Sequence, residues 1–198
     1  MASRRRERRA PKQEAPRIIG GELKGRPLTV PKGFATRPLR ALARRSLFDI
    51  LGPSVREARV ADLYAGAGTV GFEALSRGAS ELCLIERAPA AVKALEASIK
   101  TFGVEDRVRV VRSDVRRFVL SPPPEPFDFI YAGPPYPLWS GDGRAELEEI
   151  AAALAGLVAP GGLVVLEAPG PADLPLPGLA RTEIRRYGLT RLHFLRPA

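Results

Sequence analysis

From Val60 onward the chain alternates short apolar runs, bounded by turn residues, with stretches in which apolar positions recur every three or four residues. The first pattern is that of buried strands and the second that of amphipathic helices. Together they predict strands at 59–64, 82–86, 107–112, 127–131 and 163–167, with helices near 69–77, 89–102, 114–120 and 144–157. Such alternation makes an α/β fold, a parallel sheet with helices on both faces. It ends at 181–187 and 189–195, two strand-like runs meeting at Gly188, which predict a closing hairpin and one antiparallel strand. Upstream, Arg17-Ile18-Ile19 and Pro27-Leu28-Thr29-Val30 flank a glycine-rich connection and predict a short β-hairpin. From Pro38, positions Leu39, Leu42, Ala43, Leu47, Ile50 and Leu51 predict a helix that stops before Gly52-Pro53. The expected organisation is a tail over 1–16, a hairpin-plus-helix extension over 17–58, and the α/β domain over 59–198.

Composition narrows the function classes. With 45% hydrophobic and 27% charged residues in 198, the chain can build a packed core. The longest uncharged run, Ile150 to Leu166, is interrupted by Pro160-Gly161-Gly162, so no membrane span is expected. One cysteine, Cys83, excludes an intramolecular disulfide framework and a cysteine-based zinc cage, and points to a reducing, cytoplasmic setting. The net charge of +9 is uneven: residues 1–17 carry +5 and residues 18–60 carry +6, whereas residues 61–198 sum to −2. A basic front end on a slightly acidic domain favours a polyanionic partner, nucleic acid first. For Arg4 to Arg9 the alternative is a solvated, disordered tail. No apolar stretch follows these arginines, so a secretory signal is not expected. Arg37, Arg40 and Arg44 are spaced to line one flank of the first helix, facing either RNA or solvent.

The chemistry concentrates where the first sheet strand meets its helix. Asp62-Leu63-Tyr64-Ala65-Gly66-Ala67-Gly68-Thr69-Val70-Gly71 contains a G-x-G-x-x-G pattern, which permits a tight turn and close ligand approach. Glu86 ends the next strand, 18 residues beyond Gly68, where such folds hold a ribose hydroxyl. Dinucleotides and S-adenosylmethionine both remain candidates on these residues. Asp62, four residues before Gly66, would receive an ammonium group but repel a pyrophosphate; its alternative role is to brace the loop. Ser113-Asp114 ends the third strand, where a carboxylate can accept from adenine's amine. Gly133-Pro134-Pro135-Tyr136 ends the fourth strand in a rigid turn for which a dehydrogenase has no evident need.

With these residues the chain resembles the bacterial small-subunit ribosomal RNA guanine-N2 methyltransferases. The likeness is carried by Arg17-Ile18-Ile19-Gly20-Gly21 with Lys24-Gly25-Arg26, by Arg37-Pro38 with Arg44 and Leu47-Phe48, by Asp62 to Ala79, by Glu86, and by Pro134-Pro135-Tyr136. The resemblance implies a Rossmann-like, seven-stranded methyltransferase domain using S-adenosylmethionine, bound by Asp62, Tyr64, Ala65, Gly66, Gly68, Glu86, Arg87, Asp114 and Val115. It implies ribosomal RNA or an assembling small subunit as partner, contacted through the N-terminal extension, where the basic flank read above offers Arg37, Arg40 and Arg44. A monomer is expected, and since no cluster of His, Asp or Glu has metal-ligand spacing, no metal is expected. The sequence departs from the family at three places: Gly133 stands where Asp or Asn is usual, Leu39-Arg40-Ala41-Leu42 replaces a polar run, and Arg87-Ala88 follows Glu86.

The first departure bears on catalysis. Guanine's exocyclic amine is a poor nucleophile, and hydrogen-bond acceptors around it aim its lone pair at the methyl carbon. In the family pattern the Asp or Asn side chain and the following proline carbonyl are those acceptors, and the aromatic residue stacks on the base. Gly133, Pro134, Pro135 and Tyr136 are the corresponding positions, and Gly133 brings no side chain. An Asp or Asn introduced there is expected to raise turnover if the loop accepts it. The alternatives are a weakened or dormant RNA-binding relative, or an amino-methyltransferase acting on another base. Cys83 and His193 read as packing residues, and Trp139 and Phe34 either cover a core edge or stack on bases.

Overall fold

The computed structural model describes residues 15–31, 39 and 41–198. Helix α1 (Ala41–Leu51) leads into the sheet, which alternates as β1 (Arg59–Leu63), α2 (Thr69–Ser76), β2 (Glu81–Glu86), α3 (Pro89–Phe102), β3 (Val108–Arg112), α4 (Val115–Val119), β4 (Phe127–Ala132), α5 (Gly143–Ala153) and β5 (Val158–Pro169). A hairpin of β6 (Leu179–Tyr187) and β7 (Thr190–Pro197) closes the chain. The strand order is β3-β2-β1-β4-β5-β7-β6, with β7 antiparallel to both neighbours and the first five strands mutually parallel. This is the expected Rossmann-like arrangement of seven strands with one antiparallel member. Among the described residues no helix is long and apolar enough to cross a membrane.

Local chemistry explains the element ends. Pro89 occupies the first turn of α3, and Gly103 stops the helix in a left-handed conformation, φ 70°, with its N–H donating to Ile99 O at 3.0 Å. Asp114 caps α4 by accepting from Arg116 N at 3.0 Å. Strand β5 runs longer than expected at both ends, because Pro160-Gly161-Gly162 forms an irregularity within it: pairing with β4 shifts between Phe127↔Val158 and Phe129↔Leu163.

Strand alternation divides the core. Val60, Leu82, Leu84, Phe129, Tyr131 and Val165 pack toward α1, α2 and α3, while Ala61, Ile85, Ile130, Val164 and Leu166 pack toward α4 and α5. Cys83 is a partly buried packing residue on the second side, and burial pushes its thiol up to about 11. His193 is buried with neither ring nitrogen partnered among the described residues, and burial lowers its pKa, so it is held neutral in the core.

The N-terminal extension departs from expectation in two respects. Its hairpin reduces to a single antiparallel bridge, Arg17↔Pro27, flanked by bonds from Ile18 N to Arg26 O at 3.1 Å and Leu28 N to Pro16 O at 2.9 Å, and α2 takes up further backbone donors. Ile19 N and Gly20 N each donate to the Glu73 carboxylate at 2.8 Å, Leu23 N to Ser76 Oγ at 2.9 Å, and Glu22 N to Ser76 O at 2.7 Å. Ile18, Leu23 and Leu28 join the core of the sheet's first side. In α1 the buried set is Ala43, Arg44, Leu47, Phe48 and Leu51, whereas Leu42 is 75% exposed and Ile50 also faces out.

Arg44 therefore corrects the expected RNA-facing flank. It is 3% exposed, donates from Nη2 to Arg17 O at 2.7 Å, and pairs through Nε with Glu73 Oε2 at 3.6 Å. A helix face that is polar in sequence is here recruited to neutralise a fully buried carboxylate. Arg37 and Arg40 lie outside the described residues.

Candidate active site

The strand order reverses between β1 and β4, and a cavity of about 380 Å³ opens at the carboxyl ends of these strands and their neighbours. Open α/β sheets bind ligands at this point. Of the residues singled out from the sequence, Asp62, Tyr64, Ala65, Gly66, Glu86, Arg87, Asp114, Val115 and Gly133 to Tyr136 all line it. Gly68 does not. It starts α2 at φ 70°, and a Cβ there would approach Phe72 and Leu95 to within 3.0 Å, so its glycine serves the turn and the packing behind it. Gly71 is likewise a packing glycine, since a Cβ would lie 2.8 Å from both Leu82 and Leu84.

The glycine loop is tied down from two sides. Asp62 Oδ2 accepts from Gly71 N at 2.9 Å, and Glu86 Oε2 accepts from Gly66 N at 2.9 Å. Glu86 Oε1 accepts from Ala88 N at 2.8 Å. Both acids thus brace the loop while lining the cavity, each oxygen keeping a further lone pair. Tyr64 sits at φ 68°, a conformation costly for a bulky residue, on the order of 1–3 kcal/mol. Its hydroxyl is buried with no partner among the described residues.

Charge gives the cavity its character. Among the described residues, Asp62, Glu86, Asp114 and Glu167 line it against one cation, Arg87. Burial pushes the Asp62 carboxyl up to about 8; the Gly71 N–H opposes this, and the neighbouring Glu86 and Glu167 charges add to it. Burial likewise raises Glu167, opposed by its bond from Tyr131. At the mouth Asp114 Oδ2 meets Arg87 Nη1 at 3.3 Å. A pyrophosphate entering here would face repulsion, whereas an ammonium or sulfonium group would find compensation for buried acids.

The opposite wall is the turn after β4. Gly133 N donates to Leu63 O at 3.3 Å, and Tyr136 opens a 3₁₀ turn (Tyr136–Trp139) with 41% of its surface exposed. Trp139 is buried and donates from Nε1 to Pro134 O at 3.4 Å, so of its two expected roles it takes the one of covering the core edge.

Leu39, Tyr131 and Glu167 also line the cavity and were not read as site residues from sequence. A signal for two of them exists in strand periodicity: Asp62, Glu86, Tyr131, Gly133 and Glu167 lie at even spacing from Val60, Leu84, Phe129 and Val165, hence on one face of the sheet.

Comparison with known proteins gives a consistent picture. A family model described as "Conserved hypothetical protein 95" matches residues 16–196. Ribosomal RNA small subunit methyltransferase D of Escherichia coli K12 is 37% identical over 120 residues, 61% of this chain and 60% of that protein. The protein of the same name from Buchnera aphidicola (subspecies Acyrthosiphon pisum) is 31% identical over 119 residues, 60% of this chain and 62% of its own. The matched segment spans about three fifths of the length of these curated relatives. A solved structure of a hypothetical protein from Thermus thermophilus superposes with a TM-score of 0.75 at 36% identity, covering 92% of this chain and 99% of that one.

Proposed function

The chain belongs to the family described as conserved hypothetical protein 95 and has the fold of the class I methyltransferases, and from this premise we propose that it is an S-adenosylmethionine-dependent ribosomal RNA methyltransferase acting on the exocyclic N2 of a guanine in the small-subunit RNA. The observation that carries the reading is the cavity itself: four carboxylates and one guanidinium around a glycine loop, facing a Pro-Pro-Tyr turn.

Adenosylmethionine, when bound, supplies an electrophilic methyl group on a sulfonium sulfur that departs as a neutral thioether. In this reading Asp62 receives the ammonium group, and Glu86 uses its remaining lone pairs for the ribose hydroxyls. Asp114 and the Val115 backbone face the adenine, where the unpartnered Tyr64 hydroxyl also finds a polar group. The Pro134 carbonyl accepts from the target amine, with Trp139 fixing its direction, and Tyr136 stacks on the extruded base. The basic residues of the first 60 positions hold the RNA backbone, giving affinity that falls with salt.

The test is incubation of the purified protein with labelled methyl donor and small-subunit particles or RNA lacking the modification, followed by mapping of the label. Label on one guanine N2 supports the reading, and label on another base assigns a different amino-methylation. The glycine at 133 gives a second reading some ground, that of a dormant RNA-binding relative, and RNA binding with no transfer to any substrate would favour it.

A further inference from the structure

A side chain at position 133 would have close neighbours. A Cβ placed there would lie 3.3 Å from Tyr131 Cε1, 3.5 Å from Tyr131 Oη and 3.6 Å from Glu167 Oε2. Gly133 is not among the residues with positive φ, so its backbone does not demand glycine. A side chain at this position would instead press on a pair of neighbours: Tyr131, two residues earlier on the same face of β4, donates its hydroxyl to Glu167 Oε2. Burial and the Glu167 charge hold the Tyr131 phenol well above its ordinary pKa, which keeps it a donor. Glu167 reaches in from β5, the strand beside β4, and lines the same cavity as Pro134 and Tyr136. Its other oxygen, Oε1, accepts no hydrogen bond from a described residue, although the side chain is partly buried.

We propose that Glu167 is the hydrogen-bond acceptor for the target exocyclic amine, held by Tyr131 in the space that a side chain at position 133 would otherwise fill. The inference rests on the methyltransferase reading above and supplies the group that the Pro-Pro-Tyr turn lacks. Acceptance of one N–H by Glu167 Oε1 and another by Pro134 O turns the amine's lone pair toward the methyl carbon. The lone pair forms the N–C bond as the C–S bond breaks, and that electron pair remains on sulfur. The proton then shed by nitrogen passes to Glu167 Oε1 and from there to solvent. Gly133 then leaves room for the acceptor, and the expectation that Asp or Asn at 133 would raise turnover is reversed: added alone, either crowds the Tyr131–Glu167 pair, and Asp sets a second negative charge beside it.

Single-turnover methyl transfer to small-subunit particles lacking the modification tests this, with calorimetric affinity for adenosylhomocysteine and a melting temperature measured for each variant. Glu167→Ala is expected to lower turnover about a hundred- to a thousandfold, with adenosylhomocysteine affinity and melting temperature near those of the parent. Tyr131→Phe is expected to cost about tenfold, since the acceptor stays but is no longer held. The decisive variant is Glu167→Ala combined with Gly133→Asn, in which the new amide oxygen enters the vacated space and recovers at least about tenfold of the lost rate. Gly133→Asn alone lowers the rate. A Glu167 that merely supports the fold would not be rescued this way. If the parent methylates guanine and Glu167→Ala does so equally fast, or if its loss is not rescued by Gly133→Asn, the assignment of Glu167 falls while the methyltransferase reading stands. A parent that transfers no methyl group to RNA overturns both.

Discussion

Asp62 braces the glycine loop and lines the cavity at once. Its Oδ2 braces the first turn of α2 through Gly71, yet its burial leaves the carboxyl raised from 3.8 to about 8. The folded protein therefore keeps a proton that the unfolded chain loses near pH 4. Stability from this group is full below pH 4, declines as pH rises toward 8, and levels off above. Asp62→Asn removes that slope while retaining an acceptor for Gly71, so its melting temperature should gain on the parent's steadily between pH 4 and 8. A constant gap between the two melting curves over that range would contradict the shifted carboxyl. A bound cation beside Asp62 would favour the charged form and restore stability at neutral pH. The acid, its place before the glycine loop and its partner Glu86 were all legible in the chain. For Glu167 only the face of its strand was legible, from alternation; its place beside Tyr131 depends on which strand lies next to β4 and on a register, Tyr131↔Val165, that no local pattern encodes.

At the scale of elements, the extension and α2 form one clamp. The Glu73 carboxylate, fully buried, accepts from Ile19 N, Gly20 N and Arg77 Nε and pairs with Arg44, so two backbone donors and two guanidinium groups converge on it. Gly21 lies at φ 77°, and a Cβ there would stand 1.7 Å from Ser76 O, leaving no room for another residue. Several of the residues that carry the family likeness, Ile19-Gly20-Gly21 and Glu73 to Arg77, are thus the two halves of this clamp. Arg44→Ala should accordingly destabilise the protein by about 3–5 kcal/mol, because it strands part of a buried charge. Denaturant unfolding measures this directly; a change below about 1 kcal/mol would return Arg44 to the surface role first expected of it. The chain reversal and α1 were readable from glycines and apolar spacing. Their bonding was not, since the groups that satisfy them come from α2, more than 25 residues away from Arg44 and more than 50 from Ile19.

For the whole molecule, sheet order and side-chain alternation together create the site. Parallel strands that each place an acid or a turn at their carboxyl ends, on one face, concentrate Asp62, Glu86, Glu167 and the Pro-Pro-Tyr turn at the point where strand order reverses. The strand and helix sequence, the closing hairpin and the glycine loop followed from periodicity and turn chemistry. The concentration of acids emerges only when the strands are assembled. On the proposed reading its consequence is a preference for a cationic sulfonium donor over a pyrophosphate-bearing cofactor. Calorimetric titration with adenosylmethionine and with NAD, on the parent and on Glu86→Ala, tests that most directly. Adenosylmethionine should bind the parent and bind Glu86→Ala at least about tenfold more weakly, as charge-assisted bonds are lost, while NAD gives no heat of binding. Tight binding of NAD, with no response to adenosylmethionine, would contradict the account.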